Sequence, residues 1–172
     1  MPKGSTFLEK NTHTINHDAR RYRSMEIEGL ELKYHEVPSG YARCFCDSCP
    51  RAAECLHHAV GSLAPARAAV GPCVYPHSAT VPGGCPYFRP MRTQRMAWGF
   101  RYLFRDVLAR DSATLRAKVM AYLGSRSTYY RCHSGQRLLT PRQQQDILAL
   151  FAARGYDPAT LTFDHYVTRI AY

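Results

Sequence analysis

Acidic residues are scarce in this chain, and in its middle third they are almost missing. Asp and Glu number 13 against 23 Lys and Arg, which leaves a net charge of +10 over 172 residues. No apolar run approaches the roughly 20 residues of a membrane-spanning helix, and Met1 to Lys10 lacks the apolar core of a secretory signal. The expectation is therefore a cytoplasmic protein with no membrane contact, in a compartment where thiols stay reduced. Also missing are a phosphate-cradling Gly loop, a His-Glu-x-x-His pair, a nucleophile elbow and paired carboxylates in a recognisable setting. Nothing in the sequence asks for catalysis, and the expectation is that the protein is not an enzyme. What is present is ordinary for a globular chain: 45% hydrophobic and 21% charged residues, enough to bury a core without disulfides.

The positive charge is concentrated. From Arg89 to Arg142 there are twelve Lys and Arg, opposed by Asp106 and Asp111 alone, an excess of ten that equals the charge of the whole chain. Eleven of the twelve are Arg, whose forked guanidinium matches phosphate oxygens two at a time. A solvated basic face would need no partner. Collecting the entire net charge in one segment favours a polyanion, either nucleic acid or a nucleic-acid-containing machine.

Three regions follow from the patterning. Residues 1–40 are polar and mixed and read as a loosely ordered N-terminal arm, with Met25 to Tyr34 the one strand or short-helix candidate. Residues 41–88 hold six of the seven cysteines, a short helix candidate from Arg51 to about Val60, and a Gly/Pro-rich connection over 71–84. Residues 89–172 read as a basic helical domain. Met96, Phe100, Leu103, Phe104, Val107 and Leu108 recur at helical spacing, so a helix is expected over 92–110. A second is expected from an Asp111-Ser112 cap to Gly124, a third over 125–133, and a fourth from Thr140-Pro141 to about Arg154. The expected fold class is mainly α, a small helical bundle with a Cys-rich metal-binding lobe.

Cys46, Cys49 and Cys55 are spaced C-x2-C-x5-C, and Cys85 supplies a fourth thiol after a loop. Cys44 is an alternative to Cys46. A C-x2-C turn aims two sulfurs at one cation, and two more close a four-sulfur shell suited to a structural centre. Zinc and a [4Fe–4S] cluster both accept four thiolates, and spacing leaves the choice open. His57 and His58 are possible substitute ligands, although adjacent histidines on a short helix are more often solvated. Cys73 and Cys132 are isolated and read as plain packing. With Pro50 and Pro86 after two of the cysteines, the spacing resembles the iron–sulfur staples of certain helicase-associated and CRISPR-associated nucleases. No nuclease carboxylate pattern accompanies it.

Leu123-Gly-Ser-Arg-Ser-Thr-Tyr-Tyr-Arg131 resembles the second and third helices of phage-repressor and transposase helix-turn-helix proteins. It departs from them in lacking an apolar residue after Gly124 and in carrying Met120 where a small residue is usual. The resemblance implies a helix entering the major groove, with Arg126, Ser127, Tyr129, Tyr130 and Arg131 on bases and phosphates and Arg137 on the backbone. Arg92 and Arg95 would add phosphate contacts. The competing reading is a packed helical hairpin with Tyr129 and Tyr130 in the core. Cys49-Pro-x-Ala-x-x-Cys-Leu56, Cys85-Pro-Tyr-Phe88, Thr128-Tyr-Tyr-Arg131 and Gly135-x-Arg-Leu-Leu-x-Pro141 together resemble an uncharacterised family of short proteins from gut bacteria. That resemblance implies a grouping and no activity.

The leading expectation is a nucleic-acid-binding accessory or regulatory protein with a structural cysteine-bound metal centre. A module docking on the ribosome, RNA polymerase or another acidic partner uses the same charge, and a redox or metal sensor uses the same thiols. The sequence shows no heptad or other seam that would set an oligomeric state.

Overall fold

A computed structural model describes residues 24–82 and 84–172. The expected N-terminal arm falls, over residues 1–23, outside the described residues. The chain divides into two compact units, one running up to Arg92 and completed by Ile170–Tyr172, the other Thr93–Arg169.

The first unit begins with an antiparallel hairpin, β1 (Ser24–Ile27) and β2 (Leu30–Lys33). Apolar residues alternate along both strands, and the register sets Met25 opposite Leu32 and Ile27 opposite Leu30, so one face is apolar throughout. The two-residue strand β3 (Arg43–Cys44) pairs in parallel with β4 (Cys73–Val74). Helix α1 (Leu56–Ser62) packs on β3 and buries Leu56, Ala59 and Val60. Those residues join Ile27, Leu32, Val37, Leu63 and Ile170 in the core of this unit.

The second unit pairs β5 (Thr93–Trp98) with β6 (His165–Ile170) and adds α2 (Ala109–Tyr122), α3 (Arg126–His133) and α4 (Pro141–Ala152). Each helix contributes a short buried row: Leu115 and Val119, Tyr129 and Cys132, Ile147 and Phe151. With Ala97, Phe100, Leu103, Leu139 and Phe163 they form a core of their own. Ser125 caps α3 by accepting the Thr128 N–H at 3.0 Å. Thr140 and Gln143 cap α4 reciprocally, with Pro141 in its first turn.

The fold is mixed α/β, not mainly α. Among the described residues four α-helices stand beside three two-stranded sheets. The decisive difference lies in the expected 92–110 helix. Its apolar residues satisfy a helical period, but Gly99 sits at φ 83°, a conformation no α-helix passes through. A Cβ there would lie 2.5 Å from the Asp164 Cβ. Ahead of that break, Ala97 exchanges backbone hydrogen bonds with Leu139 at 3.1 and 2.8 Å, as a strand does. Beyond it only a 3-10 turn, Tyr102–Phe104, precedes α2. Helix α2 itself starts a turn earlier than expected, and Asp111 lies inside its first turn instead of capping it. There the buried carboxylate takes the Arg154 guanidinium at 2.6 Å and the Tyr156 hydroxyl at 2.9 Å. The cysteine lobe is corrected as well: among the described residues no group of three or more His, Cys, Asp or Glu is set to hold a metal ion.

Candidate functional site

Two features of the molecule carry chemistry, one in each unit. In the first, backbone hydrogen bonding brings distant cysteines to one place. Cys46 to Cys49 is a tight turn in which the Cys49 N–H reaches the Cys46 carbonyl at 3.2 Å. The chain continues through a 3-10 turn, Ala52–Glu54, that delivers Cys55 to the N-cap of α1. Cys85 opens a second turn, closed by the Phe88 N–H on the Cys85 carbonyl at 3.1 Å. That segment is tied alongside Cys55 by Leu56 N–H to the Arg89 carbonyl (2.7 Å) and Met91 N–H to the Glu54 carbonyl (3.0 Å). The Arg51 guanidinium lies 3.1 Å over the Phe88 ring and clamps the second turn.

The result is a cavity of about 20 Å³ walled in part by Cys44, Cys46, Cys49, Cys55 and Cys85. All seven cysteines of the chain are free thiols. Cys46 and Cys55 are buried, while Cys73 is exposed on β4 and takes no part in the wall. Cys132 is buried in the core of the other unit. Burial pushes the Cys44 thiol above its usual range; a hydrogen bond from the Cys46 backbone works against this, and the nearby Cys55, Cys46 and Cys49 thiols add to it. His57 and His58 also face this cavity. His57 is buried, its Nδ1 donates to the Ala42 carbonyl at 2.6 Å, and Tyr41 stacks on its ring at 4.5 Å. In the neutral ring that leaves Nε2 as the acceptor. His58 is held by Asp47 at 2.9 Å.

Close approach of backbones makes this cavity possible. Gly61 on α1 lies so near β3 that a Cβ at this position would run into the Cys44 carbonyl oxygen. Only glycine lets the helix come this close to the thiol-bearing strand.

In the second unit, twelve Arg and Lys stand against five Asp. Each of the twelve is exposed. Arg105, Arg110, Arg142 and Arg154 lie within ion-pair distance of a carboxylate. Among the described residues the other eight have no such partner. Several lie on rings instead: Arg95 over Tyr166 (3.7 Å), Arg116 over Phe104 (5.3 Å) and Arg126 over Tyr130 (5.5 Å).

The residues expected to read nucleic acid fall in different settings. Arg126, Ser127, Tyr130 and Arg131 are exposed on α3, and Arg137 is exposed just after it. Tyr129 is 4% exposed and stacks on Phe100 at 4.8 Å. Burial raises its phenol above the usual value. Arg95 is on β5, and Arg92 is exposed in the first unit. Helices α2 and α3 pack on each other across the Leu123–Ser125 turn.

Beside α3 lies an open cleft of about 420 Å³, lined by Phe100, Arg101, Phe104, Arg116, Tyr129, Tyr130 and His133. Of these, sequence patterning points only to the two tyrosines. The signal for the others is the run Phe100-Arg-Tyr-Leu-Phe104-Arg, in which rings and guanidiniums interleave, and a helical reading of that run conceals it. The His133 Nδ1 accepts the Phe100 N–H at 3.3 Å, which leaves Nε2 to carry the ring's proton.

The DUF6078 family, a family of unknown function, matches residues 25–172. The chain belongs to the DUF6078 family. No curated protein and no solved structure matches it. In this DUF6078 chain the match spans both the thiol-lined cavity and the aromatic–arginine cleft. Among the described residues no helix is long and apolar enough to cross a membrane.

Proposed function

We propose that this DUF6078 protein binds nucleic acid through residues 93–169, as an accessory or regulatory protein and not as a catalyst. The observation that carries the reading is the state of its cations: all twelve are exposed, and eight have no carboxylate partner among the described residues. Exposed cations that no carboxylate neutralises remain available to phosphate. Each phosphate they neutralise releases a counterion, so the logarithm of the affinity falls linearly with the logarithm of salt concentration. The test is equilibrium binding of labelled RNA and DNA over a salt series. A steep slope, with several-fold weaker binding when Arg126 and Arg131 are both replaced by Ala, supports the reading. Weak or salt-insensitive binding to both polymers overturns it and turns attention to an acidic protein partner.

The thiol-lined cavity supports a second proposal: Cys46, Cys49, Cys55 and Cys85, with Cys44 as alternative, hold zinc or a [4Fe–4S] cluster. Support comes from five free cysteines around one small space; they are not set as a ligand group among the described residues, so the metal would have to draw their sulfurs together. A four-thiolate shell would be coordinatively closed, and the metal would serve to cross-link the two cysteine turns. Elemental analysis and a visible absorption spectrum of anaerobically purified protein separate the options. Absence of both metals from protein whose Cys46 and Cys55 are reduced would dismiss the proposal.

A further inference from the structure

The cleft beside α3 is concave, while a duplex reader needs a protruding one. Helix α3 has eight residues, and Tyr129 and Cys132 turn its inner face into the core. Tyr130 lies on the rim, 47% exposed and edge-on to Tyr129 at 5.4 Å. Behind the opening the rings of Phe100, Tyr129 and His133 lie nearly parallel, with interplanar angles of 21°, 13° and 8° between pairs. Phe100 and Tyr129 are buried and stacked on each other, so the ring most open to a guest is Tyr130 at the rim, with Phe104 and His133 half-buried beside it. Arg101 and Arg116 bring positive charge to the same space. Arg126, 5.5 Å from the centre of the Tyr130 ring, adds a third guanidinium beside the cleft.

A volume of about 420 Å³ is within the range of small-ligand sites. The chemistry offered is a planar aromatic guest carrying negative charge at its edge. A base inside a duplex is already stacked on both faces and cannot enter. An unpaired base, splayed from its strand, can stack on rings while its phosphates lie on arginines, and stacking of this kind tolerates any base.

We infer that this cleft takes an unpaired base of single-stranded nucleic acid, with Arg101, Arg116 and Arg126 on the flanking phosphates. The inference rests on the nucleic-acid reading above and narrows it to single strands. It assigns to Phe104, Arg101 and Arg116 a binding role beside the residues of α3.

The full chain is titrated with a short single-stranded oligonucleotide carrying 2-aminopurine, the matching duplex, the free mononucleotide and inorganic polyphosphate. The expected result is tighter binding of the single strand than of duplex or polyphosphate, with quenching of the 2-aminopurine as it stacks. Tyr130→Ala should weaken the single strand about fivefold or more and abolish the quenching, and Tyr130→Phe, which keeps the ring, should restore both. Lys118→Ala, an exposed charge outside the cleft, should weaken all polymers alike. Circular dichroism confirms that each variant is folded. Equal affinity for single strand, duplex and polyphosphate, or a Tyr130→Ala variant with unchanged strand preference, overturns the cleft proposal while the polyanion reading stands. A mononucleotide that binds as tightly as the oligomer also overturns it. Failure to bind any polymer overturns both.

Discussion

Replacing Gly61 by Ala sets two opposing effects against each other with known sizes. In an exposed helix interior the change stabilises by about 1 kcal/mol, because Gly is the costlier residue to fix. Here the new methyl would run into the Cys44 carbonyl oxygen and lie 2.9 Å from its carbon. Strand β3 has little freedom to retreat. Arg43 N–H is bound to the Pro72 carbonyl at 3.0 Å, and the Ala42 carbonyl is held by His57 at 2.6 Å. Overpacking of this kind costs about 1–3 kcal/mol, and loosening one of those hydrogen bonds costs about 1 more. Subtracting the propensity gain leaves a net loss of about 1–3 kcal/mol, so the clash decides the sign. The loss should appear as local opening around the cysteines. Site-resolved thiol labelling under native conditions measures it, because Cys46 and Cys55 are each only 8% exposed and react after opening. Their labelling should accelerate about 5- to 140-fold, at 1.4 kcal/mol per factor of ten. Cys132, buried in the other unit, gives a reference rate in the same sample. Unchanged or slower labelling of Cys46 and Cys55 would show that α1 and β3 separate freely and that the close approach holds nothing together.

Two further outcomes concern the second unit. The hydrogen bonds from Arg154 and Tyr156 hold the Asp111 carboxyl below its usual value of 3.8. The folded protein therefore binds fewer protons than the unfolded one, and the stability that follows is present above the ordinary carboxylate range and lost as pH falls through the lowered value. Melting temperature should drop on acidification, and Asp111→Asn should flatten that acid limb; an unaltered limb refutes the assignment. Thr140→Ala removes the acceptor of the Gln143 N–H at 3.3 Å and should cost about 1 kcal/mol. Denaturant melts followed through the single tryptophan, Trp98, read it, and an unshifted midpoint would mean the cap contributes nothing.

Local signals were the legible ones. Helices α3 and α4 announce themselves because their caps are sequence neighbours: Ser125 with Thr128, and Thr140 with Pro141 and Gln143. Strand β5 does not, because its partners are remote. Ala97 pairs with Leu139, and β6 begins at His165, so nothing within a few residues of Met96 distinguishes a strand from an apolar helix face. Gly99 was the one local mark of the break. Cysteine spacing pointed to Cys46, Cys49, Cys55 and Cys85 together, and all four face one cavity. That Cys85 gets there depends on the Leu56–Arg89 and Met91–Glu54 hydrogen bonds, which no spacing encodes. The cleft was not legible as a unit. Its walls come from the 100–104 turn, from Arg116 on α2 and from α3, and only the fold makes neighbours of them.

The chain leaves the first unit at Arg92 and returns to it at Ile170, where the Ala171 N–H meets the Arg92 carbonyl at 3.0 Å. Ile170 is a buried member of that unit's core. During synthesis, then, the segment made first is finished last. Everything from Thr93 to Arg169 must emerge from the ribosome before the residue that completes the earlier core arrives. If the N-terminal portion folds first, as is usual, its core stays short of Ile170 until residues 93–169 have been made.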